Sequence, residues 1–178
     1  WSSDVCSSDL GSELAFAWMD TRVNESPCTM SGCYPDAFFG RATALGERLG
    51  TDVRISDVTL SSAQLGWAWV LATGDGFGAT FWDRFTRLDA SGTETAPDVR
   101  MDMGEFNVPT WTGSEYGVLW YTEDVAERGL RLARLNPSGG LLGVANVMAG
   151  QRINHLFSLE WTGSQYAVAF EVSDPDGS

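Results

Sequence analysis

Lysine does not occur in this chain: all 11 basic residues are arginine, set against 24 Asp and Glu and a single His. The resulting formal charge of −13 over 178 residues repels a phosphate backbone, so nucleic acid is excluded as an expected partner. Long apolar runs are missing too. Leu14 to Met19 and Trp67 to Ala72 are the longest, at six residues each, far below the roughly 20 of a membrane-spanning helix. Cys28 and Cys33 lie close together, but the single His, His155, is distant from them, so a Cys/His zinc site is short of ligands, and no metal or other cofactor is expected. Neither G-x-S-x-G nor H-E-x-x-H occurs. Thr73-Gly-Asp-Gly-Phe-Gly78 has the glycines of a phosphate cradle but no lysine, and reads as a loop tip. What the chain does have is aromatic mass. Eight Trp, nine Phe and four Tyr in a 43% hydrophobic composition suit a packed core and argue against disorder.

The aromatic residues recur. Trp111-Thr-Gly-Ser-Glu-Tyr-Gly-Val-Leu-Trp120 returns as Trp161-Thr-Gly-Ser-Gln-Tyr-Ala-Val-Ala-Phe170. A step of 51 residues back from Trp120 lands on Trp69, and another lands on Trp18. Gly11-Ser12 then stands where Gly113-Ser114 stands. A second marker repeats in the same order: Arg41-Ala-Thr-Ala-Leu-Gly46, Arg87-Leu-Asp-Ala-Ser-Gly92 and Arg134-Leu-Asn-Pro-Ser-Gly139. Asp52-Val-Arg54 and Asp98-Val-Arg100 follow two of these, and Ala145-Asn-Val147 the third. A steady period near 50 residues signals tandem structural units.

Each unit reads as four short strands. Tyr116 to Tyr121 is aromatic and β-branched, lacks helical spacing, and is apolar on both alternating faces, which predicts a strand buried between two sheets. Asn136-Pro-Ser-Gly139 has the residues of a type I turn, with Gly repeated at that point as Gly92 and Gly46. Thr112-Gly-Ser-Glu115 makes the other tight hairpin. Strand, glycine turn, strand, long loop, strand, glycine turn, strand resembles the blade of a β-propeller. The resemblance covers residues 11–178 and implies an all-β partial propeller of four-stranded antiparallel blades, about three with the start of another. The blades run approximately over 11–56, 57–106, 107–155 and 156–178. The signatures of kelch, WD40 and sialidase-type blades are absent. The Trp-Thr-Gly-Ser-x-Tyr pattern is similar instead to repeats of large secreted or surface proteins of GC-rich bacteria, and arginine without lysine fits that codon usage. A β-sandwich has similar strands but no such period, and a hairpin solenoid has a shorter one. Trp1 to Leu10 resembles the translation of a sequencing-library adapter and is expected to be non-native. Upstream of Gly11 the native chain is then expected to be a strand ending in Trp-Thr, and the blades here a fragment with two uncovered apolar faces.

The resemblance implies a non-catalytic binding or scaffold module of a larger extracellular or cell-surface bacterial protein. A protein or glycan ligand would meet the loops that vary between copies, and the remaining blades of the same chain would pack at the ends. The alternative is a fragment of a propeller glycosidase or lyase with acids from several blades. On the 51-residue register, the variable segments are Asp20 to Phe39, Ala72 to Asp83 and Thr122 to Gly129. They contribute Asp20, Arg22, Asp75, Trp82, Asp83, Glu123 and Asp124 as candidate ligand-binding residues. Trp82 is the one with a sugar-stacking prospect, Trp18, Trp69, Trp111, Trp120 and Trp161 being strand-register core. Solvated loop charge is the plainer account of the acids. Cys28 and Cys33 are expected to close a small disulfide in an oxidising compartment. Asp174-Pro-Asp-Gly177 matches the opening of a calcium loop without its later ligands. Three arginines in register, Arg41, Arg87 and Arg134, are expected to pair unit by unit with Asp52 or Asp98 rather than converge on one substrate.

Overall fold

A computed structural model describes residues 6–22, 35–56, 67–101, 106–124 and 126–172. The described residues form strands and turns, with no helix among them, and so no helix long and apolar enough to cross a membrane. Sheet 1 contains β1 (Cys6–Leu10), β2 (Glu13–Asp20), β3 (Asp36–Thr43) and β4 (Arg48–Arg54). Sheet 2 contains β5 (Ala68–Ala72), β6 (Gly76–Phe81), β7 (Arg84–Asp89) and β8 (Val99–Arg100). Sheet 3 contains β9 (Asn107–Trp111), β10 (Tyr116–Thr122), β11 (Gly129–Leu135) and β12 (Leu141–Ala149). A hairpin of β13 (Ile153–Trp161) and β14 (Tyr166–Val172) follows. Every pairing is antiparallel between strands consecutive in sequence. The expected all-β meanders are therefore present.

Turn chemistry repeats as the motifs require. Gly46, Gly92 and Gly139 take φ of 84°, 87° and 86°, a region that costs other residues strain. Each donates its N–H to the carbonyl three residues back, on Thr43, Asp89 and Asn136. Across the second and third strands, Ala15 faces Arg41, Gly78 faces Arg87 and Gly117 faces Arg134. These pairs fix the equivalence of the three sheets.

That equivalence corrects one expected register. Trp18, Trp120 and Phe170 do share a position, on β2, β10 and β14. Trp69 does not: it lies on β5, a first strand, and Phe81 of β6 holds the place assigned to it. Thr73-Gly74 is the counterpart of Thr112-Gly113, since both close the turn between first and second strands. The spacing there is 39 residues, not 51, and it is offset by a longer interval from Gly11 to Gly74. The two deviations cancel over two units, so Trp18 and Trp120 match while the midpoint misleads. Ala72 to Asp83 is accordingly not a loop. It is a short turn, the fully buried strand β6, and a two-residue turn at Trp82-Asp83.

Sheets pack in sequence order. Ala15, Ala17 and Phe39 of sheet 1 meet Val70, Phe77 and Ala79 of sheet 2. Phe85 and Leu71 of sheet 2 meet Tyr116, Val118 and Trp120 of sheet 3. Leu119, Tyr121 and Leu130 of sheet 3 meet Leu159, Tyr166 and Val168 of the terminal hairpin. The backbones of neighbouring sheets come closest along the first strands: β1 and β2 against β5, β5 and β6 against β9, β9 and β10 against β13.

Two glycine sockets recur between sheets. A Cβ on Gly78 would lie 2.6 Å from the Tyr116 ring, and one on the equivalent Gly117 would lie 2.5 Å from the Tyr166 ring. In the second socket, Gly92 abuts the Phe39 ring, and a Cβ on Gly139 would lie 3.3 Å from Phe85. Phe39 and Phe85 are themselves equivalent positions on β3 and β7. Glycine is needed there because an aromatic ring from the adjoining sheet occupies the space a side chain would take.

Candidate functional site

The expected ligand-binding residues fall into separate places. Asp20 and Arg22 sit where β2 leaves sheet 1. The Arg22 guanidinium donates to Asp20 Oδ2 at 2.6 Å and to Asp52 Oδ2 at 2.5 Å, and Arg48 donates to Asp52 Oδ1 at 2.6 Å. Arg22 also lies over the Trp18 and Phe38 rings, 5.6 and 4.7 Å from their centroids. Burial pushes the Asp20 carboxyl up, but the hydrogen bonds from Arg22 outweigh it and leave it below the usual carboxylate range. This cluster binds itself.

Asp75 belongs to the opposite rim from the other candidates, in the β5–β6 turn, and accepts from Arg87 Nη2 at 2.7 Å. Its place among the variable loops was a consequence of the misplaced register. Trp82 is only 3% exposed, turns on φ of 51°, and packs edge-on to Phe81, so it cannot offer a face to a sugar. Asp83 accepts from Arg100 Nε at 2.7 Å. Glu123 and Asp124 are exposed in the β10–β11 loop, where Asp124 Oδ1 accepts from the Ala126 N–H at 2.9 Å. Cys28, Cys33 and Asp174 to Gly177 lie outside the described residues.

The repeating arginines have different partners from those expected. Arg41 pairs with Glu13 at 3.0 Å, Arg87 with Asp75 at 2.7 Å, and Arg134 with Glu115 at 2.6 Å. In each case the acid comes from the junction of first and second strands, Glu13 opening β2 and Asp75 and Glu115 just preceding β6 and β10, not from Asp52 or Asp98. Glu115 is held below the usual glutamate range by the Arg134 hydrogen bonds, against a smaller opposing effect of burial. It also accepts from the Tyr166 hydroxyl at 2.9 Å, which ties the terminal hairpin to sheet 3. The arginines are structural clamps within the repeat.

The intervals between second and third strands do differ in length: residues 21–35, 82–83 and 123–128 separate the strands in sheets 1, 2 and 3. On that same rim, where sheets 2 and 3 and the hairpin come together, the structure opens a cavity of about 700 Å³. Five aromatic side chains line it: Trp67, Trp69, Phe106, Phe157 and Phe170. Trp67 and Phe106 stand at equivalent positions before β5 and β9, their rings 5.9 Å apart. Asn107, Ser158 and Glu171 add the polar groups. Asn107 is fully buried and donates from Nδ2 to the Trp82 carbonyl at 2.9 Å, while its Oδ1 has no hydrogen-bond partner.

Comparison with protein-family models, curated proteins and solved structures found no match.

Sequence reasoning missed this cavity. Trp69 counted as buried register core, and Trp67 and Phe106 were not singled out. Their 39-residue separation equals that of Thr73 and Thr112, so the correct register contains the signal. Phe157, Phe170 and Glu171 enter only through the approach of the terminal hairpin to sheet 3. Chemically, the cavity offers aromatic side chains, one carboxylate and a serine hydroxyl. Among its described lining residues there is no pair of acids, no nucleophile with a base, and no cation. Among the described residues, moreover, no three His, Cys, Asp or Glu cluster as a metal set.

Proposed function

We propose that this chain is part of a β-propeller that serves as a binding or scaffold module, and that its ligand enters the aromatic cavity on the variable-loop rim. The propeller reading rests on four-stranded meanders that stack in sequence order and crowd along their first strands, as blades crowd around an axis. Its placement in a secreted or surface bacterial protein rests on the resemblance of the repeat. In the same reading residues 1–10 are non-native, and β1 holds a place where sheets 2 and 3 carry the apolar Ala68–Ala72 and Asn107–Trp111.

One observation carries the functional part: a cavity of drug-ligand size, largely aromatic, with few polar groups. That composition suits binding sites in general. Catalysis of glycoside cleavage uses two carboxylates about 5–10 Å apart, and Glu171 is the only acid among the described lining residues. Saturation-transfer NMR of the chain against a panel of soluble glycans, short peptides and amines tests the reading. Binders are expected whose signals fall at least roughly fivefold in Trp67→Ala and in Phe170→Ala, each removing a stacking face. A panel without binders, or binders indifferent to both substitutions, would remove the cavity as the site.

A further inference from the structure

We infer that the aromatic cavity is selective for an organic ammonium cation, an alkylated or quaternary amine on a small apolar body; this rests on the cavity being the binding site. Three observations lead there. First, the walls are aromatic side chains from three structural units: Trp67 and Trp69 at the start of sheet 2, Phe106 just before sheet 3, Phe157 and Phe170 of the hairpin. Ring faces carry the negative part of the aromatic quadrupole and attract cations, tryptophan most strongly. Second, the one charged group of the lining is an acceptor: Glu171, exposed on β14, supplies a carboxylate. Third, no Arg stands among the described lining residues, although the chain has 11. The arginines described above are spent on carboxylates elsewhere, at Asp20, Asp75, Asp83 and Glu115. An anionic ligand would find no counter-charge here and would meet a strongly acidic protein. A neutral sugar would stack on the rings and donate hydroxyls to Glu171, but it would gain no charge attraction to either.

The cation's attraction to desolvated ring faces amounts to about 2 kcal/mol, or roughly thirtyfold in affinity. Choline and 3,3-dimethylbutan-1-ol separate charge from shape, because the alcohol replaces the quaternary nitrogen by carbon and keeps the hydroxyl. Isothermal titration of the full chain is expected to show choline binding at least about tenfold more tightly than the alcohol. Glu171→Gln, a change at an exposed position, is expected to weaken choline several-fold and leave the alcohol unchanged. Phe170→Leu should weaken both. Equal affinity for the two probes, or tighter binding of methyl glucoside than of choline, overturns the ammonium assignment while the cavity stands as a site. Choline affinity that survives Glu171→Gln and Phe170→Leu places the cation elsewhere on the protein and overturns it as well. Failure of all three probes, with NMR panel binders that still depend on Trp67, overturns the selectivity alone. Failure of the probes and the panel together removes the binding module with it.

Discussion

Trp120 and Trp18 occupy the same position of the same structural unit, yet one is core and the other is surface. Trp120 is 1% exposed, closed in between sheets 2 and 3. Trp18 is half-buried on the outer face of sheet 1, stacked on Phe38 and covered by Arg22. The glycine sockets show the same contrast. Gly92 and Gly139 each carry an aromatic ring from the preceding sheet, whereas a Cβ on Gly46 would meet nothing within 4 Å. A sheet of this kind is apolar on both faces, and only its neighbours decide which face becomes interior. At the far end, exposed Leu141, Leu142 and Val144 on β12 lie beyond the two strands of the terminal hairpin.

The two tryptophans carry the largest expected difference. Trp120→Ala is expected to cost about 3–5 kcal/mol in urea unfolding, the range for a large aromatic removed from a closed core. Trp18→Ala should cost about 1 kcal/mol, from a lost stack and a lost cation contact. Equal losses at the two positions would mean that the outer face of sheet 1 is covered.

The glycine pair sharpens the same point. Gly46→Ala and Gly92→Ala both force alanine into positive φ, at about 1 kcal/mol each. Gly92→Ala also drives a methyl into the Phe39 ring, which adds about 1–3 kcal/mol. The difference between the two midpoints therefore reads the presence of a neighbouring sheet.

A smaller effect separates the hairpin from the three full sheets. The Arg134 and Tyr166 bonds hold Glu115 below its usual value. A depressed carboxyl contributes stability that is present above the unfolded pKa, about 4.3, and is lost as pH falls through the lower folded value. Unfolding midpoints followed by circular dichroism from about pH 6 to pH 2 should therefore fall more steeply in the wild type than in Glu115→Gln. At neutral pH the variant should lose about 1 kcal/mol. Parallel pH profiles would show that the Tyr166–Glu115–Arg134 link does not hold the hairpin.

Much of the fold was legible because its signals are local. A glycine in the left-handed region, an Asn or Asp before it and alternating apolar residues each act over a few positions, so the β-turns and strand types of Arg41 to Gly46, Arg87 to Gly92 and Arg134 to Gly139 emerge from sequence. Register over long loops was less secure. Trp69 sits 51 residues from Trp18 and from Trp120 because a long and a short unit happen to average. Spacing alone could not distinguish it from Phe81, which takes its place. The acids paired with Arg41, Arg87 and Arg134 lie outside the Arg-to-Gly motif and on another strand junction, so only the strand pairing brings them beside the arginines.

Antiparallel β-meanders with glycine turns and a strong net negative charge follow from the order of the amino acids alone, because propensity, turn geometry and charge are properties of residues and their immediate neighbours. Which apolar faces are core, which acid each arginine clamps, and that Trp67, Phe106 and Phe170 line one cavity follow from the packing of the sheets. Those outcomes depend on distances between sheets far apart in the chain, and burial has no meaning for a strand until another sheet lies against it.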